Sequence, residues 1–321
     1  MTRLTEELEA RGCEVVVATT PPDDMGAFDV VHGVNLDRSV LGDTAAFGAA
    51  ARAAGAPFVL TPLWWPLRTY IAGLDGRDHL RHSLAGTPPA RFLRERRVGA
   101  LLSTRRRQGD LLHQADVVCP SGSREAEALR LAFGEVPMVP VHYGTGVSPL
   151  PVAQRRGVLC VARIDPRKNQ LNLIRAVNET GLSLRLVGTP DVFPRYARRC
   201  RSEAGPNVVF CGFLPGAALL EELRSARVHA LPSAFELPGL TSLDAGAAGG
   251  AIVASTEGTA LDYFGEAGAW YTDTSPGSIR AALVAADAAG PPPGGAERIA
   301  ATFTWSATAR AMTGVYESVM G

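Results

Sequence analysis

Short apolar runs alternate along this chain with segments whose apolar positions recur every three or four residues, the two periods that separate strands from amphipathic helices. Thr2 to Arg11 has the helical period and is closed by Gly12. The β-rich run Cys13 to Thr20 follows and predicts a strand ahead of a Pro-Pro-Asp-Asp loop. Asp29 to His32 predicts a short strand, Asp43 to Ala54 a helix, Pro57 to Thr61 and Asp116 to Pro120 two more strands, and Ser123 to Phe133 a helix. In the second half, strands are expected at Val158 to Ala162, Leu184 to Val187, Val208 to Phe210, Val228 to Leu231 and Ala251 to Ala254, with helical stretches between them. Such alternation implies parallel sheets covered by helices, an α/β fold.

The segment Ser148 to Arg156 has the proline and polar content of a linker. It places a boundary near residue 152, between an N-terminal domain (1–151) and a C-terminal one (152–302). A low-complexity loop, Gly290-Pro-Pro-Pro-Gly-Gly295, precedes a last helix in 303–321 that is expected to pack back on the first domain. The second series is a complete doubly wound set. The first opens directly on a helix, without the strand and glycine-rich turn at which a Rossmann-like domain lets a phosphate or sugar approach the backbone. Either the chain starts late, or its first sheet has one strand fewer and donor contacts come mostly from the second domain. No internal repeat is visible.

Length and charge narrow the function. A chain of 321 residues exceeds one usual core, and its formal charge is zero. No basic field of the kind nucleic acid requires is present. Five cysteines, odd in number and without metal-type spacing, predict buried thiols in a reducing compartment, no disulfide and no zinc. No apolar run has membrane-spanning length, and the charged N-terminus is unlike a signal peptide, so a cytoplasmic protein is expected. The stretch Arg91 to Arg107 holds seven arginines. It reads as an exposed helix pair or as a weak peripheral contact with anionic lipid or a polyphosphate-linked acceptor.

Against thirty-one arginines the chain has one lysine, Lys168, in Cys160-Val-Ala-Arg-Ile-Asp-Pro-Arg-Lys-Asn169. A lone ammonium among guanidinium groups suggests a site that needs a compact, flexible cation. Arg163 and Lys168 both follow a strand, where open parallel sheets bind ligands, and two cations there imply an anion. In Ser233-Ala-Phe-Glu-Leu-Pro-Gly-Leu-Thr-Ser-Leu-Asp244 a strand ends, Pro238 and Gly239 turn the chain, and a helix starts near Leu240. Its N-terminus is a diphosphate seat. The carboxylates Glu236 and Asp244 beside it call for ligand hydroxyls, and the combination suggests a nucleotide sugar.

These residues resemble the retaining GT-B glycosyltransferases of the family-four type, over nearly the whole chain. The resemblance implies two Rossmann-like doubly wound domains facing across a cleft. The family's arginine-lysine clamp is similar to Ala162, Arg163 and Lys168, and its two acids to Glu236 and Asp244, the second shortened here from glutamate. It implies that Glu236 binds donor-sugar hydroxyls, Asp244 the ribose, and the amides of Gly239, Leu240 and Thr241 the diphosphate and sugar. Leu186-Val-Gly188 and Phe210-Cys-Gly-Phe213 resemble loops that line the nucleobase pocket, which brings in Gly188 and Phe213. It also implies hexosyl transfer with retention in polysaccharide or glycoconjugate biosynthesis, without a metal or other cofactor. The acceptor is open: a glycan, a lipid-linked sugar or a small molecule.

Two departures stand out besides the missing turn. A histidine usual after the first domain's fourth strand is replaced by Thr61-Pro-Leu-Trp-Trp-Pro66, where Trp64 and Trp65 either stack on a sugar or pack. His32, with Asn35, is the polar candidate on the acceptor side. The alternatives are a non-catalytic sugar-nucleotide-binding homologue or scaffold and, third, an epimerase or phosphorylase on the same fold.

Overall fold

A computed structural model describes residues 2–37, 39–66, 103–149, 154–190, 193–237 and 239–321. Pro238, most of the Arg91 to Arg107 stretch and part of the Ser148 to Arg156 segment lie outside the described residues. The chain divides into two compact units. The first takes the described residues of 2–66, 103–142 and 305–321, and the second those of 143–304.

In the first unit the order is α1 (Thr2–Glu9), β1 (Val31–Val34), α2 (Leu41–Ala54), β2 (Phe58–Thr61), α3 (103–112), β3 (Val117–Val118) and α4 (Ser123–Phe133), joined by the C-terminal helix Trp305–Met320. The described strands form a parallel sheet in the order β1-β2-β3, with Val31 opposite Phe58 and Leu60 opposite Val118. Alternate residues of a strand point to opposite faces. Phe58 and Leu60 therefore pack with Leu41, Leu111 and Leu129 on one side, while Val59 meets Val141, Met312 and Val315 on the other. Burial on both faces is why Phe58, Val59 and Leu60 are all apolar.

The run Cys13 to Thr20 is not a strand. Its Val16 and Val17 are 57% and 61% exposed. β-branched residues favour a strand only where a neighbouring strand offers a ladder and a face to cover, and no described strand lies beside this run.

The second unit runs β4 (Val158–Val161), α5 (Gln170–Asn178), β5 (Leu184–Val187), α6 (Pro194–Glu203), β6 (Val208–Gly212), α7 (Gly216–Ser225), β7 (Val228–Leu231), α8 (Leu240–Ala247), β8 (Ala251–Ser255), α9 (Ala260–Phe264), β9 (Trp270–Thr272), α10 (Pro276–Ala289) and α11 (Gly295–Thr302). The strands β9 and the helix α11 are additions to the elements the sequence pattern predicts. All six strands are parallel in the order β6-β5-β4-β7-β8-β9. Val158 and Cys160 face a core with Ile174, Cys200 and Leu283, and Leu159 and Val161 face one with Leu223, Leu243 and Ile299, so helices cover both sides of the sheet. The order reverses direction at β4 and β7, and this leaves a crevice beyond their C-terminal ends.

Candidate functional site

The segment after β4 is fixed before it reaches Lys168. Asp165 caps the 3-10 turn Pro166–Lys168, its carboxylate accepting the Arg167 amide at 2.8 Å. Asn169 closes the turn in the left-handed region at φ 59°. Its side-chain amide donates to the carbonyls of Pro232 at 3.1 Å and Thr274 at 3.0 Å. The Ala234 amide donates to the Arg167 carbonyl at 2.7 Å. The turn is thereby held against the end of β7.

This brings Lys168 and Glu236 together. The Lys168 Nζ donates to Glu236 Oε2 at 2.5 Å, and the two side chains are only 12% and 14% exposed. The Ser233 hydroxyl donates to the same oxygen at 2.9 Å, and Arg167 Nη1 stands 3.9 Å from Oε1, its guanidinium 5.1 Å from the Phe235 ring centre. Burial pushes the Glu236 carboxyl up. The Lys168 and Arg167 charges and the two hydrogen bonds outweigh it, holding the group below the ordinary carboxylate value and therefore ionised.

Gly258 makes this approach possible. The Glu236 amide donates to the Glu257 carbonyl, and the Thr259 amide to the Glu236 carbonyl at 3.1 Å. At φ +101° a Cβ on Gly258 would lie 2.2 Å from the Glu236 carbonyl oxygen, so only glycine fits. Gly239, at φ +65°, then starts α8, and the Thr241 hydroxyl donates to the Val161 carbonyl at the end of β4 at 3.1 Å. A helix leaves its first amides without intrahelical acceptors, so this end, with Leu240 partly exposed, is positioned to receive an anion.

Arg163 also lies at the end of β4, but its side chain is 59% exposed and 3.7 Å from Asp165. Phe213 is exposed just beyond β6. Gly188 has a fold-level reason to be glycine, since a Cβ there would meet the Ala162 carbonyl oxygen at 1.9 Å. Asp244, on the second turn of α8, accepts the Thr145 hydroxyl at 2.6 Å. Arg167, Gly258 and Thr145 were not singled out by the sequence. Only its place between Arg163 and Lys168, after a strand, hinted at the first.

The four acceptor-side candidates lie in the first unit, where most are tied into the fold. Both ring nitrogens of His32 have partners, Tyr316 Oη and Thr61 Oγ1, each at 2.8 Å. Trp64 is a core residue: it crosses the Phe133 ring edge-on at 4.9 Å and its indole N–H donates to Gln108. Asn35 adopts φ 81° and its side chain accepts the Asp37 amide, which makes it a turn former. Trp65 is half-buried. Among the described residues no group of three His, Cys, Asp or Glu gathers as a metal site, and no helix is long and apolar enough to cross a membrane. A cavity of about 550 Å³ lined by Phe264, Glu266, Pro292 and Arg298 opens elsewhere in the second unit and includes none of the residues above.

Two parallel α/β units, one with this switch-point crevice, define the GT-B fold. Residues 155–286, the stretch that holds Arg163, Lys168, Glu236 and Asp244, match the family described as glycosyl transferases group 1. Among solved structures, the chain is similar to a sucrose-phosphate synthase from Thermosynechococcus elongatus (22% identity, TM-score 0.67, covering 98% of this chain and 91% of that one). It is also similar to a UDP-forming α,α-trehalose-phosphate synthase from Burkholderia xenovorans, solved with glucose-6-phosphate (14%, TM-score 0.63, 91% and 73%). A third is HepE from Anabaena, solved with UDP and glucose (15%, TM-score 0.59, 99% and 77%). At such identities the likeness is one of fold. No curated protein matches the sequence.

Proposed function

We propose that the protein is a glycosyltransferase that moves a hexose-type sugar from a nucleoside-diphosphate sugar to an acceptor hydroxyl, with retention and without a divalent metal. The observation that carries this is the Lys168–Glu236 pair beside the start of α8, at the ends of the two strands where the sheet order reverses. An ammonium has three donors, so Lys168 can keep Glu236 and still bind a phosphate oxygen. As the bond from the sugar's anomeric carbon to the diphosphate breaks, charge collects on the leaving oxygen. Lys168, Arg163 and the amides of Gly239, Leu240 and Thr241 neutralise it, a preorganised role that a metal ion fills in other phosphate-transfer sites. The acceptor oxygen attacks from the face the diphosphate leaves, and the departing phosphate takes the acceptor's proton. Glu236, ionised, accepts hydrogen bonds from donor-sugar hydroxyls. Gly188 and Phe213 line the nucleobase side. HepE, solved with UDP and glucose, supports a nucleotide-sugar donor. Five free thiols suit a cytoplasmic location.

The test is calorimetry with UDP-, GDP-, ADP- and TDP-sugars in the presence of a chelator, followed by donor hydrolysis on whichever binds. Binding with slow hydrolysis is expected. Binding without any turnover, even with sugar acceptors added, identifies a non-catalytic homologue, and no binding removes the donor assignment.

A further inference from the structure

At one end of the second unit's sheet, β6 pairs with β5 and no described strand lies on its other side. Asn207 directs its carbonyl to the Leu184 amide at the start of β5. Phe210, out of phase with Asn207 along the strand, therefore turns its own N–H and C=O away from β5. A donor and an acceptor on an open edge are a template to which an extended chain can add.

The helix beside this edge is oriented by its other contacts. Tyr196 Oη accepts the Leu171 amide of α5 at 2.9 Å, and Glu203 accepts from Arg175 of α5 at 2.6 Å and from Arg199 at 3.1 Å, so one side of α6 is bound to α5. Ala197 and Cys200 are buried against the sheet. At about 100° per residue, Arg198 and Arg201 fall on the side away from α5, toward the open edge, and the Arg201 guanidinium stands 4.7 Å from the Phe210 ring centre. Both arginines are exposed, and neither has an acidic partner among the described residues. Glu203, the one acid in α6, is already shared by Arg175 and Arg199. Successive side chains of a strand point to opposite faces, so Val209, 53% exposed, offers an apolar surface on the face away from α6.

The two faces of the edge thus differ in chemistry. Cations beside an open edge repel a basic strand and admit an acidic one. A strand with acidic and apolar residues in alternation satisfies both faces, its acids toward Arg198 and Arg201, its apolar side chains toward Val209 and its backbone on Phe210. We propose that the β6 edge is a docking site for an extended acidic segment of a partner protein, which joins the sheet as a further parallel or antiparallel strand.

The probe is a fluorescein-labelled peptide of about eight residues that alternates glutamate and valine, titrated into the full chain and followed by anisotropy. It is expected to bind at least ~tenfold more tightly than a peptide of the same composition with its glutamates and valines in separate blocks, and to slow amide hydrogen exchange at Phe210 by about tenfold. Arg198→Glu combined with Arg201→Glu is expected to weaken binding by about tenfold or more, and Val209→Thr by about threefold, with the thermal midpoint unchanged because all three side chains are exposed. Equal binding of the two peptides, or binding without protection of Phe210, reduces the surface to a charge contact and overturns strand addition. If neither peptide binds while phosphatidylglycerol vesicles retain the protein through the same two arginines, the surface faces lipid and the proposal falls. It falls equally if nothing binds.

Discussion

Glu125 in the first unit and Glu236 in the second are both withdrawn from water, and their charges are satisfied in opposite ways. Glu125, with no exposed surface, accepts the Trp64 amide at 2.5 Å, the Ser121 amide at 2.7 Å and the Ser121 hydroxyl at 2.6 Å. Two of these donors are backbone groups that cannot leave without moving the chain. Glu236 is held by an ammonium on a flexible stem and by a hydroxyl, both of which can rearrange around a ligand. A buried carboxylate closed by backbone N–H groups pins loops, as Glu125 pins the ends of β2 and β3. One closed by side chains at a crevice can exchange partners during a reaction.

The largest effect is expected from breaking the second arrangement. Lys168→Ala leaves Glu236 ionised and poorly paired, which costs about 3 kcal/mol of stability and at least ~100-fold in transfer rate. Lys168→Met with Glu236→Leu is expected to recover the stability, measured by denaturant unfolding, and none of the transfer. If the single variant folds as stably as the parent, the pair is not the electrostatic unit described. In the first unit, Glu125→Ala orphans three donors and is expected to cost about 3 kcal/mol, with nucleotide affinity of the folded protein unchanged. A loss of affinity in that variant at full folding would erase the contrast.

The contrast also explains what the sequence could reveal. Lys168 and Glu236 were legible because each follows a strand end, and strand ends in doubly wound sheets are found from short apolar runs alone. Thr145 was not, since its contact with Asp244 joins residues 99 positions apart. Gly258 gave no signal either, because its need for glycine arises from the approach of the Glu236 backbone and from no local turn. Cys13 to Thr20 misled because strand propensity says nothing about whether a partner strand is present. Trp64, beside a second tryptophan and two prolines, suited either a sugar platform or a core, and only Gln108 and Phe133, supplied by α3 and α4, settle it as core.

Two histidines on strands carry the comparison to its smallest effect. Burial lowers both His32 and His229 to a pKa of about 4. The unfolded chain protonates them near 6.5, so stability is whole above that pH and falls as pH drops from 6.5 toward 4, by about 1.4 kcal/mol per pH unit for each proton the fold refuses. Their surroundings differ. His32 is partly exposed, and the oxygens of Tyr316 and Thr61 can accept from a protonated ring. His229, fully buried on β7, has no hydrogen-bond partner for either nitrogen among the described residues. His32→Leu is therefore expected to cost about 1–2 kcal/mol at neutral pH by orphaning two hydroxyls, and to remove its own share of the acid limb. His229→Leu is expected to be neutral or stabilising by about 1 kcal/mol and to flatten the acid limb. Urea unfolding of both variants between pH 7 and 4.5 reads the difference. The neutral-pH cost separates the two variants, and an acid limb left whole in either one would mean that the ring it lacks does not refuse its proton in the fold.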